Sequence, residues 1–410
     1  MTAKHPSPKT PLSIILPARI VLNTTFRIIY PFLPGIARGL GISLAAASRL
    51  VTLRMVGMMA APILGPLADR YGRRRTMTVA LLVFALGSLL LSGAGTLAVA
   101  ALAFVFYGVA KSLYDPAVYA YLGDTVPYRE RGRTIGIVEL SWSGAWLLGV
   151  PASGFLIERF GWRAPWAILG VLGLCAAGLT HTYLPLARRP AERGRDVFSF
   201  AAVVGDWHKL LHRRPIVVLL LVSSLLTLAN EIPFIVYGAW IETTFGLSFS
   251  ALGVASIVVG LAEATAELGA SAFTDRLGKR RSMLAGLAGL AVSLIVWPWL
   301  SGLGLVAALA GVAFAMLTFE FTIVSLLPLA TELAPDMRAS FFALVVTAFS
   351  ISRILGAVAG GWLWRWENIA LHAAVGTICA LVAAFLLVWG MAEGNGRGQP
   401  GAGHKRRNVA

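Results

Sequence analysis

Apolar runs of about twenty residues recur along almost the whole chain, broken by short polar connections, and each is long enough to cross a hydrocarbon core as one helix. The pattern predicts spans over 14–36, 46–66, 76–94, 97–121, 135–159 and 165–185, then over 216–239, 250–271, 282–301, 304–328, 340–364 and 368–390. The runs are continuous rather than alternating, which argues against the strands of a membrane barrel. The expected fold is therefore an all-α integral membrane protein of twelve spans.

The first run carries Arg19, Asn23 and Arg27 inside its apolar stretch and eleven more spans follow, so it reads as a retained span and not a cleaved signal. The connection 186–215 divides the chain. It opens with Arg188, Arg189, Pro190, Glu192, Arg193 and Arg195, and then places Phe200, Val203, Val204, Trp207, Leu210 and Leu211 at helical spacing. Asp206, His208 and Lys209 fall elsewhere on the wheel, which predicts an amphipathic helix on the cytoplasmic membrane surface. The expected organisation is an N-terminal bundle over 1–185, this linker over 186–215, a C-terminal bundle over 216–390 and a disordered basic tail over 391–410.

Composition agrees with a bilayer as solvent: 57% of the 410 residues are hydrophobic and 13% are charged. The net charge of +16 invites a nucleic-acid reading. The cations instead gather in the tails and in alternate connections, at Arg70, Arg73, Arg74 and Arg75, at Arg129, Arg131 and Arg133, and at Arg276, Lys279, Arg280 and Arg281. That bias sets topology and places both termini in the cytoplasm of a cell-membrane protein. No nucleic-acid partner is expected, and a tail such as Lys405-Arg406-Arg407 reads as a solvated end that would at most touch anionic lipid. Cys175 and Cys379 sit in predicted spans as small apolar side chains, with no disulfide expected. His208 and His212 share a helix face, but no cysteine or acidic partner completes a metal site. The absence of a Gly-x4-Gly-Lys-Ser/Thr loop argues against ATP hydrolysis, and no cofactor or covalent chemistry is implied.

Three stretches repeat at an offset of 206 to 208 residues. Asp69-Arg70-Tyr71-Gly72-Arg73-Arg74-Arg75 corresponds to Asp275-Arg276-Leu277-Gly278-Lys279-Arg280-Arg281. Asp124-Thr125-Val126-Pro127, followed by Arg131, corresponds to Glu332-Leu333-Ala334-Pro335, followed by Arg338. Leu148-Gly149-Val150-Pro151-Ala152-Ser153-Gly154 corresponds to Leu355-Gly356-Ala357-Val358-Ala359-Gly360-Gly361. Three matches in register predict duplicated six-helix bundles.

The stretch Gly65-Pro66-Leu67-Ala68-Asp69-Arg70-Tyr71-Gly72-Arg73-Arg74-Arg75 resembles the signature loop between spans two and three of the major facilitator superfamily, whose 12-span drug/proton antiporters the chain looks like. The resemblance implies a conformational gate at Gly65, Asp69, Arg70, Gly72 and Arg73, with a degenerate second copy at Asp275, Arg276 and Gly278. A glycine turn that lets helices approach and a carboxylate near a helix end give the same reading on physical grounds, while the alternative is that these arginines only fix topology. Gly149, Pro151 and Gly154 partly match the Gly-Pro-x-x-Gly-Gly pattern near the end of span five in exporters, and with Gly356, Gly360 and Gly361 they read equally as helix packing. Where such exporters carry an Arg four residues before a Gly in span four, this chain has Phe104 before Gly108.

Ionisable side chains inside spans are costly unless paired or wet, which makes them the candidate site. The N-terminal half holds Arg19, Arg27, Arg49, Arg54, Lys111, Asp115 and Glu139, and the C-terminal half holds Glu231, Glu263, Glu267, Glu320 and Arg353. The first set is predominantly cationic and the second predominantly anionic, so bundles facing one another would attract. Arg19, Asn23, Arg27, Tyr30 and Pro34 fall on one stripe, and Tyr107, Lys111 and Asp115 on another, both expected to line a central cavity. Asp115 is expected to alternate between Lys111 or Arg27 and a proton, unless Lys111 simply neutralises it. Glu263 and Glu267 share a face at like charge, so one is expected to be protonated or paired, with Arg353 as a partner in reach. Glu231 and Glu320 offer a contact for the positive end of a substrate, with Tyr30, Tyr107, Tyr114 and Trp146 as aromatic neighbours or as packing. The expected activity is proton-coupled efflux of small organic or drug-like compounds by a monomer working through alternating access. Uptake or exchange of an organic anion held by Arg27, Arg54 and Lys111 is the alternative, and a lipid flippase or a non-transporting sensor is a reading of another class.

Overall fold

The computed structural model of the protein describes residues 9–60, 64, 70–186, 200–334 and 337–390, where helices are joined by short turns and no strand occurs. Among the described residues ten helices are each long and apolar enough to cross a membrane: Arg73–Ser92, Leu97–Thr125, Arg133–Phe160 and Ala164–Tyr183 are spans three to six. Spans seven to twelve are Arg214–Phe245, Phe249–Thr274, Lys279–Ser301, Leu305–Ala330, Ser340–Trp366 and Ile369–Gly390. Span one is a bent pair, Lys9–Arg27 and Ile29–Leu40. Span two begins as Leu44–Met58, and residues 61–63 and 65–69, Gly65 and Asp69 among them, lie outside the described residues. The expected all-α architecture is present, with ends within a few residues of those predicted for most spans.

Span one bends by 60° at Ile28. Pro31 explains the place: it has no N–H for the Arg27 carbonyl one turn earlier, and its ring crowds that carbonyl. Span seven interrupts its helix at the corresponding position of the second half, between Phe234 and Tyr237. The two breaks cross, and a Cβ on Gly238 would fall on the backbone of Tyr30 and Pro31. Only a residue without a side chain admits that approach. Span five contains a different irregularity, a π-helical turn at Ala145–Gly149 immediately before Pro151.

In lipid the apolar effect does not pull helices together, so close contact at small residues does much of the packing. Within the first half, a Cβ at Gly108 would meet the Arg54 carbonyl and the Gly57 backbone, so spans two and four touch main chain to main chain. Gly149 faces Thr24 of span one, and Gly356 faces Glu231 of span seven. Gly154 faces Gly253 and the Phe249 carbonyl of span eight, Gly253 in turn faces Pro151, and Gly361 faces Ser48 and Ala45 of span two. Gly360 lies against the Ile232 carbonyl. The repeat-related pairs Gly149/Gly356 and Gly154/Gly361 thus do equivalent work in the two halves. The first pair packs within a bundle, and the second joins the bundles at spans five with eight and two with eleven.

The linker residues 200–211 form a helix, as the spacing predicts. Trp207 Nε1 donates to the Ser340 carbonyl at 3.1 Å and Ser340 Oγ to Asp206 at 3.0 Å, which seats this helix on the start of span eleven.

Candidate functional site

The stripe read on span one is buried along its length, from Arg19 through Asn23 and Arg27 to Tyr30 and Pro34. Its lower part is tied into its own bundle. Asp115 of span four sits between Arg19 Nε, at 3.3 Å, and Lys111 Nζ, at 3.0 Å. Arg19 also donates to Glu139 Oε1 and to the Val138 carbonyl, both at 3.0 Å, and to Tyr119 Oη at 2.7 Å. Tyr119 donates onward to Glu139, and Lys111 donates to Asn23, whose amide donates to Ser141 Oγ at 2.9 Å. Two cations and two carboxylates therefore close a neutral network inside the N-terminal half. The expected partner Arg27 is not paired with Asp115; Arg19, two turns nearer the chain start on the same helix, takes that place.

The upper part of the stripe crosses to the other bundle. Arg27 pairs with Glu263 of span eight, and its guanidinium lies over the rings of Trp142 and Trp146 at 4.7 and 5.4 Å. Tyr30 Oη donates to Glu231 of span seven, 3.1 and 3.3 Å from its two oxygens. Arg353 of span eleven donates to Tyr30 Oη at 3.1 Å and lies 3.4 Å from Glu231 Oε2. Glu263 and Glu231 are each about 1% exposed. Breaking such a buried pair by removing one member costs about 3–5 kcal/mol, because the other charge stays buried. Arg353 therefore serves Glu231 and not the Glu263–Glu267 face, where Arg27 is the partner of Glu263. Glu267 and Glu320 are half-buried and lie within electrostatic reach of Glu263 and Arg27.

Other expected members fall elsewhere. Tyr107 is buried among Phe84, Phe104 and Trp166, at ring distances of 5.7 to 6.0 Å, so it belongs to the packing of spans three, four and six rather than to the cavity stripe. The reason is geometric, since a straight helix rotates a 4-residue stripe steadily off one face. Arg49 is exposed near the start of span two and joins no network among the described residues. Tyr119, Ser141 and Trp142 were not anticipated. Trp142 and Trp146 stand three and seven residues after Glu139, on its helix face, and that spacing is the signal that points to them.

Of the signature loop, Gly65 and Asp69 and the Asp275 side chain lie outside the described residues, and Arg70 and Arg276 are exposed. Gly72 and Gly278 adopt φ of 92° and 84°, a backbone that favours glycine, at equivalent turns. Arg73 Nε lies 3.2 Å from Asp124, and its repeat counterpart Lys279 pairs with Glu332. Each tie joins the loop to the end of span four or ten of its own bundle.

At the end where span one finishes and span eight begins, the bundles are tied directly. Arg38 Nη2 lies 2.7 Å from Glu242 Oε1, linking spans one and seven. Glu158 of span five accepts the Ser250 N–H at 2.7 Å, at the first turn of span eight. These ties, together with the glycine contacts of Gly154 and Gly361, join the two bundles at this end.

The sequence matches the Major Facilitator Superfamily over residues 15–235 and again over 219–408. It is 24% identical to the uncharacterized MFS-type transporter YwfA of Bacillus subtilis over 361 residues, covering 87% of this chain and 85% of that protein. It is 29% identical to multidrug resistance protein 2 of the same organism over 171 residues, 41% of this chain and 42% of that one. Among solved structures, the crystal structure of a D-xylose-proton symporter superposes with a TM-score of 0.76 at 17% identity, covering 93% of this chain and 97% of that one.

Proposed function

Because the chain belongs to the Major Facilitator Superfamily, a family of non-enzymatic carriers, we propose that this multi-pass membrane protein exports small organic compounds in exchange for protons by alternating access. The observation that carries the reading is the pair of charged links across the bundle interface, Arg27–Glu263 and Arg353–Tyr30–Glu231. Rocking of the bundles separates these groups, and a carboxylate that loses its cation in low dielectric favours the protonated form. Asp115, held by Arg19 and Lys111, is a further proton carrier on this reading, and the glycine turns at Gly72 and Gly278 serve the gate at the opposite end. Both termini lie in the cytoplasm of the cell membrane, the two bundles are 1–185 and 216–390, and the protein acts as a monomer. The similarity to multidrug resistance protein 2 supports export as the direction. Purified protein in vesicles with an internal pH dye tests the proposal. Substrate-triggered proton movement opposite to substrate is the expected result, and exchange of organic anions with no pH change is the result that overturns it.

A further inference from the structure

Resting on that transporter reading, we infer that Arg54 and Arg27 form a subsite for an anionic group, so that the substrate is an organic acid with an apolar body. Arg54 is 1% exposed, yet among the described residues no carboxylate lies within ion-pair distance of it. Arg19, Arg27, Lys111 and Arg353 each have such a partner. What Arg54 does have is two backbone carbonyls, those of Phe26 at 3.2 Å and Thr25 at 3.5 Å, and the face of the Phe26 ring at 4.2 Å. Those carbonyls sit in the last turn before the bend of span one, where the broken helix frees them. They offset the guanidinium through partial charge only.

The donors around this point exceed the acceptors. Arg54 Nε, Arg27 Nε and Trp146 Nε1 are all buried without a hydrogen-bond partner, and the Arg27 guanidinium stands 5.4 Å from the Trp146 ring. The nearby acceptor Glu231 is already shared by Tyr30 and Arg353, while Glu263 Oε2 is a single free acceptor beside Arg27. Tyr30, Glu231 and Arg353 are the charged or titratable groups in electrostatic reach of Arg54. A carboxylate, sulfonate or phosphate group satisfies several guanidinium donors at once with charge-assisted bonds. Phe26, Trp142 and Trp146 supply a wall for an apolar or aromatic body. Lys111 stands over the same Trp142 and Phe26 rings, at 4.2 and 5.6 Å, but its charge is already taken by Asp115 and Asn23.

The test uses the purified full chain and a thermal-shift panel of benzoate, 2-naphthoate, naphthalene-2-sulfonate, tetraphenylphosphonium and ethidium. The aromatic anions are expected to raise the melting temperature of the wild type, with apparent affinity at least tenfold weaker in Arg54→Gln. Arg54→Lys keeps a cation opposite the Phe26 carbonyl and guards against a folding defect; it is expected to lose severalfold in affinity for the carboxylates while eluting as one species. Stabilisation by the cations alone, by no anion at all, or by anions equally in both variants and wild type overturns the inference. Phosphatidylglycerol in nanodiscs as the sole competitor for Arg54 also overturns it, in favour of bound lipid. Proton-coupled export of tetraphenylphosphonium would sink the subsite and leave the transporter reading intact, whereas absence of flux for every compound would sink that reading itself.

Discussion

Arg38 on span one and Glu242 on span seven meet at 2.7 Å across the bundle interface, near the ends of their helices. The Arg38 side chain is 57% exposed, so the pair contributes about 0.2–1 kcal/mol. Glu242→Arg is expected to raise the population open at this end by up to about fivefold, and the swap Arg38→Glu with Glu242→Arg to restore it. Labelling rates of a cysteine at Thr243, in a background lacking Cys175 and Cys379, provide the measurement.

Glu263 is the buried partner of Arg27. Glu263→Gln leaves that guanidinium unpaired and should lower stability by about 3–5 kcal/mol. Replacing both by Met should recover most of the stability and abolish proton-coupled transport. Melting curves and vesicle flux on the three variants distinguish a transport role from a merely structural one, since a structural role predicts recovery of both.

Asp115 bridges two cations, and Asp115→Asn removes the charge that holds Arg19 and Lys111 together. Loss of transport and of its pH dependence is expected at normal expression. Wild-type flux and an unchanged pH profile in this variant would remove Asp115 from the proton pathway.

Gly154 packs against the Phe249 carbonyl and Gly253 with no room for a Cβ. Gly154→Val is expected to cost about 1–3 kcal/mol through overpacking and to hold spans five and eight apart. Increased reactivity of a cysteine at Ser250, with unchanged reactivity at the opposite end, is the predicted signature.

Much of this arrangement is legible in the residues. Run lengths locate the spans, and the repeats around Gly149 and Gly356 foretell equivalent packing, because a glycine is informative wherever two backbones meet. The charged stripes are legible too, since residues spaced by one turn must share a face. Partner choice is not. Arg27 meets Glu263 of span eight while Arg19, on the same helix face, meets Asp115 of span four, and nothing in the run around them tells the two apart. Tyr107 fails for a related reason: the stripe through Lys111 and Asp115 turns away over one more helical turn, toward Trp166. Ion-pair identity in a bundle interior is set by relative helix placement, which no single helix encodes.

The crossing of spans one and seven at Gly238 and Pro31 leaves no side chain between two interrupted helices. A contact so bare transmits a tilt of one arm to the other without slack. A methyl group at Gly238 would force those two backbones apart and put slack into that coupling.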